Sequence, residues 1–162
     1  MVLGAFAVDS MNVLFINDSL KVNEFFDLLP IDWQQSIVPY WKDYKNDTEV
    51  YLLVEENKVV GGGLVFSRNS PDMLSQGNIA EKYFQQGYKY IAYLWISQNH
   101  RSKGYGKYWL QKLQHKNPMQ RYWLTIEEQS LLSFYEKLGF SLYENICNEG
   151  VNEWVLATSP QK

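Results

Sequence analysis

Apolar residues recur along the chain at two alternating spacings, one typical of strands and one typical of amphipathic helices. Strand-type runs cover residues 13–16, 49–55, 59–66, 90–96, 122–126, 140–146 and 152–157. Helical spacing covers residues 19–29, 32–44, 79–84, 104–116 and 131–138. This order predicts an α/β (α+β) fold, in which a mixed sheet of about seven strands carries helices on both faces.

Several polar residues and one proline indicate where these elements begin, break or turn. Asp18, or the serine after it, is placed to cap the first helix, and Asp32 with Gln35 resembles a capping box for the second helical stretch. Pro39 should kink or split that stretch, because proline lacks an N–H and clashes with the preceding turn. Asn57 tolerates the positive φ of a tight hairpin between two strands.

One continuous apolar run and several glycines predict details of the sheet and of one helix end. Residues 90–96 are apolar at every position, which predicts a central strand covered on both faces. Residues 61–63 are three consecutive glycines inside a strand, which indicates a bulge or a close approach of another backbone. Gly139 follows a helical stretch, where a left-handed C-terminal cap favours glycine.

Size, charge and cysteine content narrow the class of protein. The 162 residues fit one domain over residues 1–162, with the ordered part expected at about 11–158. Cys147 is the single cysteine, so no internal disulfide forms, and it is expected to be a buried apolar residue or a bystander. Residues 1–8 are apolar but shorter than the roughly 20 residues of a membrane span, which favours a cytoplasmic protein without a membrane partner. A net charge of -3 disfavours nucleic acid and suits a cationic small molecule or a basic peptide.

The first segment with chemical information is residues 94–107, where a buried strand leads through a polar turn into a helix. Gly104 and Gly106 let the main chain approach an anion, and the helix dipole adds about half a positive charge there. Full charges stand nearby on Arg101, Lys103 and Lys107. The alternative is an ordinary turn, since the spacing matches neither GxxxxGK(S/T) nor GxGxxG.

The second segment is residues 133–140, an amphipathic helix that ends at a glycine cap. This structural interpretation explains every residue except the hydroxyl of Tyr135. Taken alone, a tyrosine at this position is more often part of a core than of a catalytic site.

Together the two segments resemble the GNAT acetyltransferases. Residues 101–106 read RxxGxG, like the family's pyrophosphate-binding turn, and residues 134–140 read FYxKxGF, like its helix end. About thirty residues with one strand separate the two, as in the family. The resemblance implies a mostly antiparallel seven-stranded sheet that is splayed in the middle, between residues 90–96 and 121–126.

The resemblance also implies a cofactor, a reaction and site residues. The cofactor is acetyl-CoA (coenzyme A), no metal is expected, and the acceptor is a primary amine of a small molecule or peptide. The pantetheine arm pairs with the strand at Leu94 and Ile96, and a backbone N–H near Ile96 polarises the thioester carbonyl. Tyr135 gives its proton to the departing thiolate. The implied cofactor-binding residues are Leu94, Trp95, Ile96, Arg101, Ser102, Lys103, Gly104, Tyr105, Gly106 and Lys107.

Two positions depart from the family pattern. Ile91 stands where many relatives carry a glutamate base, and Glu128 stands where an asparagine often precedes the FY pair. A non-catalytic acyl-CoA sensor or binding module with the same fold is therefore the alternative function. Many relatives are dimers, so the resemblance also suggests a homodimer.

The base and the acceptor site stay open at this point. The acidic candidates for the base are Glu55, Asp72, Glu127 and Glu128, and a water relay is the other choice. His100 is interpreted as a solvated residue of the polar turn. The aromatic stripe over residues 33–44 lies at the acceptor cleft by family analogy, or else packs in the core.

Overall fold

The computed structural model describes residues 12–159, and these contain one seven-stranded sheet in the order β1-β2-β3-β4-β5-β7-β6. The strands are β1 (Val13–Asn17), β2 (Thr48–Glu55), β3 (Lys58–Phe66), β4 (Lys89–Ile96), β5 (Tyr122–Ile126), β6 (Phe140–Asn148) and β7 (Val151–Thr158). Neighbouring strands are antiparallel except β4 and β5, which are parallel. The predicted mostly antiparallel sheet is confirmed, whereas the apolar residues 1–8 lie outside the described residues.

The helices lie on both faces of this sheet. They are α1 (Val22–Phe26), α2 (Ile31–Ile37), α3 (Trp41–Tyr44), α4 (Gly77–Gln85), α5 (Tyr105–Lys116) and α6 (Leu132–Glu136). Short 3₁₀ turns cover Val38–Tyr40, Lys45–Asp47, Pro71–Gln76, Gln98–His100 and Gln129–Leu131. In the described part of the chain, no helix combines the length and the apolar character that crossing a membrane requires.

The buried apolar residues form two hydrophobic cores, one on each face of the sheet. One face packs against α1 to α4 and includes Phe25 and Phe66, while the other packs against α5 and includes Trp109 and Leu110. All four of these side chains are fully buried. Strand β4 is the fourth of seven strands and supplies buried residues to both cores, so the prediction of a central strand is confirmed.

Of the residues predicted to begin or break helices, the proline acts as predicted and the two caps do not. Pro39 does split the second helical stretch, because α2 ends at Ile37 and a 3₁₀ turn follows. The predicted caps are wrong. Asp18 Oδ1 accepts the backbone N–H of Leu20 at 2.8 Å, which closes a local turn ahead of α1. Asp32 lies inside the first turn of α2 and forms no cap hydrogen bond. Its negative charge interacts favourably with the positive end of the helix dipole.

The bulge predicted at the glycines of β3 is confirmed, because the register of β3 with β4 shifts between Gly62 and Leu64, and the group that approaches Gly63 is a side chain. A Cβ atom on Gly63 would lie 2.6 Å from Cζ2 of Trp109, so the indole ring occupies the space that a side chain would need. The predicted tight turns are also present, with Asn57 at φ 65° and Gly139 at φ 94°. Cys147 is exposed, which leaves it a bystander.

Candidate active site

The two central strands part after a short stretch of pairing. Strands β4 and β5 pair at Lys89 with Tyr122 and at Tyr90 with Trp123, and no further pair joins them within the described chain. Strand β5 stays paired with β7 up to Ile126 on its other side. The sheet is therefore splayed in the middle, as expected, and the side of β4 that faces β5 is open beyond Tyr90.

A β-bulge in β4 accompanies the parting. Ala92 pairs with Leu64 and Trp95 pairs with Gly62, so two residues of β4 stand opposite the single Gly63. Tyr93, inside the bulge, has a φ of 56°, which is uncommon for a residue with a side chain. Because a bulge bends its strand and increases the local twist, it directs the end of β4 away from β5.

The turn after β4 presents backbone amides to solvent. Ser102 and Gly104 both have positive φ, at 62° and 80°, and Gly104 is the N-cap of α5. The first backbone bond back into this helix runs from Tyr108 N to Gly104 O at 2.9 Å. Within the described chain, the amides of Ser102, Lys103 and Gly106 donate to no backbone carbonyl.

Positive charge surrounds this turn. Lys103 and Lys107 are exposed beside the N-terminus of α5. Arg101 donates from Nε to the Ile96 carbonyl at 3.1 Å, and its guanidinium group lies 4.3 Å from the ring centre of Trp95. Unbonded amides, a helix N-terminus and basic side chains together fit a diphosphate group.

A side-chain network that the sequence analysis missed anchors the turn to β2. His100 Nδ1 lies 2.6 Å from the Ser97 hydroxyl, and His100 Nε2 lies 3.1 Å from Glu55 Oε2. The Tyr105 hydroxyl donates to the other oxygen of Glu55, and its ring stacks on the imidazole. His100 is thus a structural member of the turn, and its interpretation as a solvated residue is wrong. Tyr105 is buried, and its side chain is committed to this network.

Tyr135 lies on α6, on the same face of the sheet as this turn. Its ring makes edge contacts with Phe134 and Phe140, with centroid distances of 5.0 and 5.5 Å. Burial raises the pKa of Tyr135 to about 12. Leu94, Ile96 and Tyr135 all pack against the core that contains α5. A phenol therefore shares a face with the open edge of β4.

A family model for the acetyltransferase (GNAT) family matches residues 20–140 of the chain. The chain belongs to the GNAT acetyltransferase family. No curated protein matches it by sequence.

Solved GNAT-like structures have the same fold at low sequence identity. A histone acetyltransferase and related acetyltransferase from Corynebacterium glutamicum is 16% identical, with a TM-score of 0.69 over 94% of this chain and 98% of that one. A GNAT family acetyltransferase from Elizabethkingia anophelis with acetyl-CoA bound is 14% identical, with a TM-score of 0.60 over 91% and 98%. An Arabidopsis thaliana protein in complex with a bisubstrate analogue, coenzyme A and an acetyl group joined to the sequence MVNAL, is 18% identical, with a TM-score of 0.63 over 91% and 99%.

The other face of this GNAT sheet carries an aromatic cluster. The ring of Trp33 makes edge contacts with Trp95 at 5.2 Å and with Tyr93 at 5.9 Å. Ser36 and Tyr93 share a hydrogen bond of 2.6 Å between their hydroxyls. The aromatic stripe predicted over residues 33–44 therefore divides, because Trp33 meets the bulge of β4 while Tyr44 is buried in the core.

The four acidic candidates for the base differ in their surroundings. Glu55 is engaged with His100 and Tyr105 at the turn. Glu127 and Glu128 are exposed to solvent after β5. Asp72 lies on the aromatic face, where the Tyr90 hydroxyl donates to its Oδ2 at 2.8 Å. Burial raises the pKa of Asp72 above its usual value, as suits a group that takes up a proton.

Proposed function

We propose that the protein is an acetyl-CoA-dependent N-acetyltransferase, which moves an acetyl group to a primary amine of a small molecule or peptide by direct attack. The observation that carries this proposal is the parting of β4 from β5, beside a turn with unbonded amides. Family membership supports acyl transfer. The acetyl-CoA and bisubstrate complexes of the bacterial and plant relatives support the donor and an amine acceptor.

Different groups of the chain bind different parts of the donor. The amides from Ser102 to Lys107 hold the diphosphate, with Arg101, Lys103 and Lys107 adding charge. The open edge of β4 at Leu94 and Ile96 offers backbone groups to the pantetheine amides, as a strand edge does for an added strand. Tyr105 contributes its backbone to this site and its side chain to the Glu55 network.

Acetyl-CoA, when bound, supplies an activated acetyl thioester. A backbone N–H near Ile96 donates to the thioester carbonyl and stabilises the negative charge that develops on its oxygen. The acceptor nitrogen forms the new C–N bond as the C–S bond breaks. Tyr135 then passes its hydroxyl proton to the departing sulfur, and the proton that the nitrogen loses on becoming an amide restores the Tyr135 hydroxyl.

The raised pKa of Tyr135 defines how this group acts. With a pKa of about 12, the hydroxyl is protonated throughout the physiological range. Transfer of its proton to a thiolate, whose ordinary pKa is about 8.5, is uphill in the resting site. Tyr135 therefore acts first as a hydrogen-bond donor to sulfur and completes the transfer as the C–S bond opens.

Thermal unfolding with and without ligand tests donor binding. At about 100 times its dissociation constant, coenzyme A should stabilise the fold by about 2.7 kcal/mol, which raises the melting temperature by roughly 5 to 10 °C. An unchanged melting temperature with both coenzyme A and acetyl-CoA contradicts the proposal. Release of free thiol over a panel of amines then tests turnover, and stabilisation without turnover on any amine favours the non-catalytic sensor.

A further inference from the structure

The side chain of Arg101 connects the diphosphate turn to the open edge of β4. Arg101 follows the 3₁₀ turn Gln98–His100, and its backbone is extended. Its side chain reaches back over that turn to β4, where Nε donates to the Ile96 carbonyl at 3.1 Å. The side chain therefore bridges the two places where the diphosphate and the pantetheine arm of the donor are proposed to bind.

The Ile96 carbonyl lies on the side of β4 that faces the gap. The backbone N–H of the next residue, Ser97, donates to Val60 O in β3 at 2.8 Å. Neighbouring residues in a strand direct their backbone groups to opposite sides, so the N–H and C=O of Ile96 point away from β3. The Ile96 carbonyl is thus one of the edge groups that the pantetheine amides are proposed to use, and the hydrogen bond from Arg101 occupies it.

The guanidinium group of Arg101 is held at this edge without an opposite charge. Its second contact is the ring of Trp95, whose centre lies 4.3 Å away. Within residues 12–159, Arg101 takes part in no ion pair, and its side chain is exposed. A diphosphate on the neighbouring amides would offer it a stronger partner, because bonds from a guanidinium group to phosphate oxygens are charge-assisted on both sides.

We infer that Arg101 is a positioning residue that couples the two halves of the donor site. When Arg101 bonds to the Ile96 carbonyl, it covers the end of the open edge. When it bonds to a diphosphate held by the turn, it leaves that carbonyl free to accept an N–H of the pantetheine arm. The inference rests on the proposed function, and it adds that the diphosphate half of the donor prepares the edge for the pantetheine half.

This coupling predicts an effect that electrostatic attraction alone does not. Pantetheine carries no charge, so the positive charge of Arg101 gives it no ionic attraction. If Arg101 competes for the Ile96 carbonyl, its removal should strengthen the binding of pantetheine and weaken the binding of diphosphate. A residue that only attracts the donor would not produce opposite effects on its two halves.

Titrations with two fragments of the donor, inorganic diphosphate and pantetheine, test the coupling. In the unmodified protein, saturating diphosphate should lower the Kd of pantetheine about tenfold, because a competing hydrogen bond from a charged group is removed. By linkage, saturating pantetheine should lower the Kd of diphosphate by the same factor. In Arg101→Ala, pantetheine alone should bind about tenfold more tightly than to the unmodified protein, with no further gain from diphosphate.

Lys103→Ala is the matched control, because it also removes one exposed positive charge from the turn. This variant should bind diphosphate more weakly but keep the coupling between the two fragments, since Arg101 and Ile96 are unchanged. Both substituted side chains are exposed, so both variants should unfold at the melting temperature of the unmodified protein. That measurement shows that the binding changes do not come from loss of the fold.

The outcomes separate this inference from the proposed function. The inference is overturned if Arg101→Ala binds pantetheine no more tightly than the unmodified protein, or if the two proteins show equal coupling. The absence of pantetheine binding at saturating diphosphate in both proteins overturns it as well. In each of these cases, stabilisation of the fold by coenzyme A leaves the proposed donor binding intact. Failure of coenzyme A to stabilise the unmodified protein overturns both the proposed function and this inference.

Discussion

At the scale of single residues, Tyr135 carries the most specific chemical prediction. Tyr135→Phe removes the hydroxyl but keeps the ring that packs against Phe134 and Phe140. In the proposed mechanism the hydroxyl acts on the leaving sulfur, so kcat should fall about a hundredfold while the affinity for coenzyme A stays the same. Steady-state kinetics and a binding titration measure the two quantities. An unchanged kcat removes Tyr135 from the mechanism.

Gly63 makes a second prediction, on stability. In Gly63→Ala, the new Cβ atom would lie 2.6 Å from the ring of Trp109, which is fully buried and donates from Nε1 to Tyr51 O at 3.0 Å. This overpacking should lower the free energy of unfolding by about 1–3 kcal/mol in denaturant titrations. Gly77→Ala is the control, because a Cβ atom there meets nothing within 4 Å. Equal stability of the two variants would contradict the packing described for Trp109.

At the scale of elements, the turn between β4 and α5 depends on a residue outside its own segment. His100 joins the turn to Glu55 at the end of β2, through contacts of 2.6 Å to Ser97 and 3.1 Å to Glu55. In the proposed site, the network holds the loop whose amides bind the donor. It therefore positions the site without touching the reacting atoms.

His100→Ala should raise the dissociation constant of coenzyme A about tenfold, since the turn loses its connection to β2. The value of kcat at saturating donor should stay the same, because the variant leaves Tyr135 and β4 in place. His115→Ala is a matched control, as His115 is exposed in the last turn of α5. Equal affinities in the two variants would show that the network does not position the turn.

At the scale of the whole molecule, the features that were predicted correctly from the sequence are those set by the conformational preferences of residues close together along the chain. The apolar run of β4, the turn at Asn57 and the cap at Gly139 each follow from local preference, and the structure confirms them. The caps predicted at Asp18 and Asp32 are wrong, because each helix begins at a different residue from the one that local preference indicated.

The networks around the site could not be predicted in the same way. Glu55 reaches His100, and Asp72 meets Tyr90, only because the sheet order brings separate strands and one loop together. No motif contains both members of either contact. The open side of β4 was expected from family resemblance, whereas its bulge at Tyr93 is a finding of the structure.

A crystal structure of the complex with acetyl-CoA tests most directly whether the gap between β4 and β5 receives the donor. The diphosphate should lie on the amides from Ser102 to Lys107, the pantetheine arm should run along β4, and the sulfur should lie within hydrogen-bond distance of the Tyr135 hydroxyl. Coenzyme A bound elsewhere, or β4 and β5 paired along their whole length in the complex, would contradict the account.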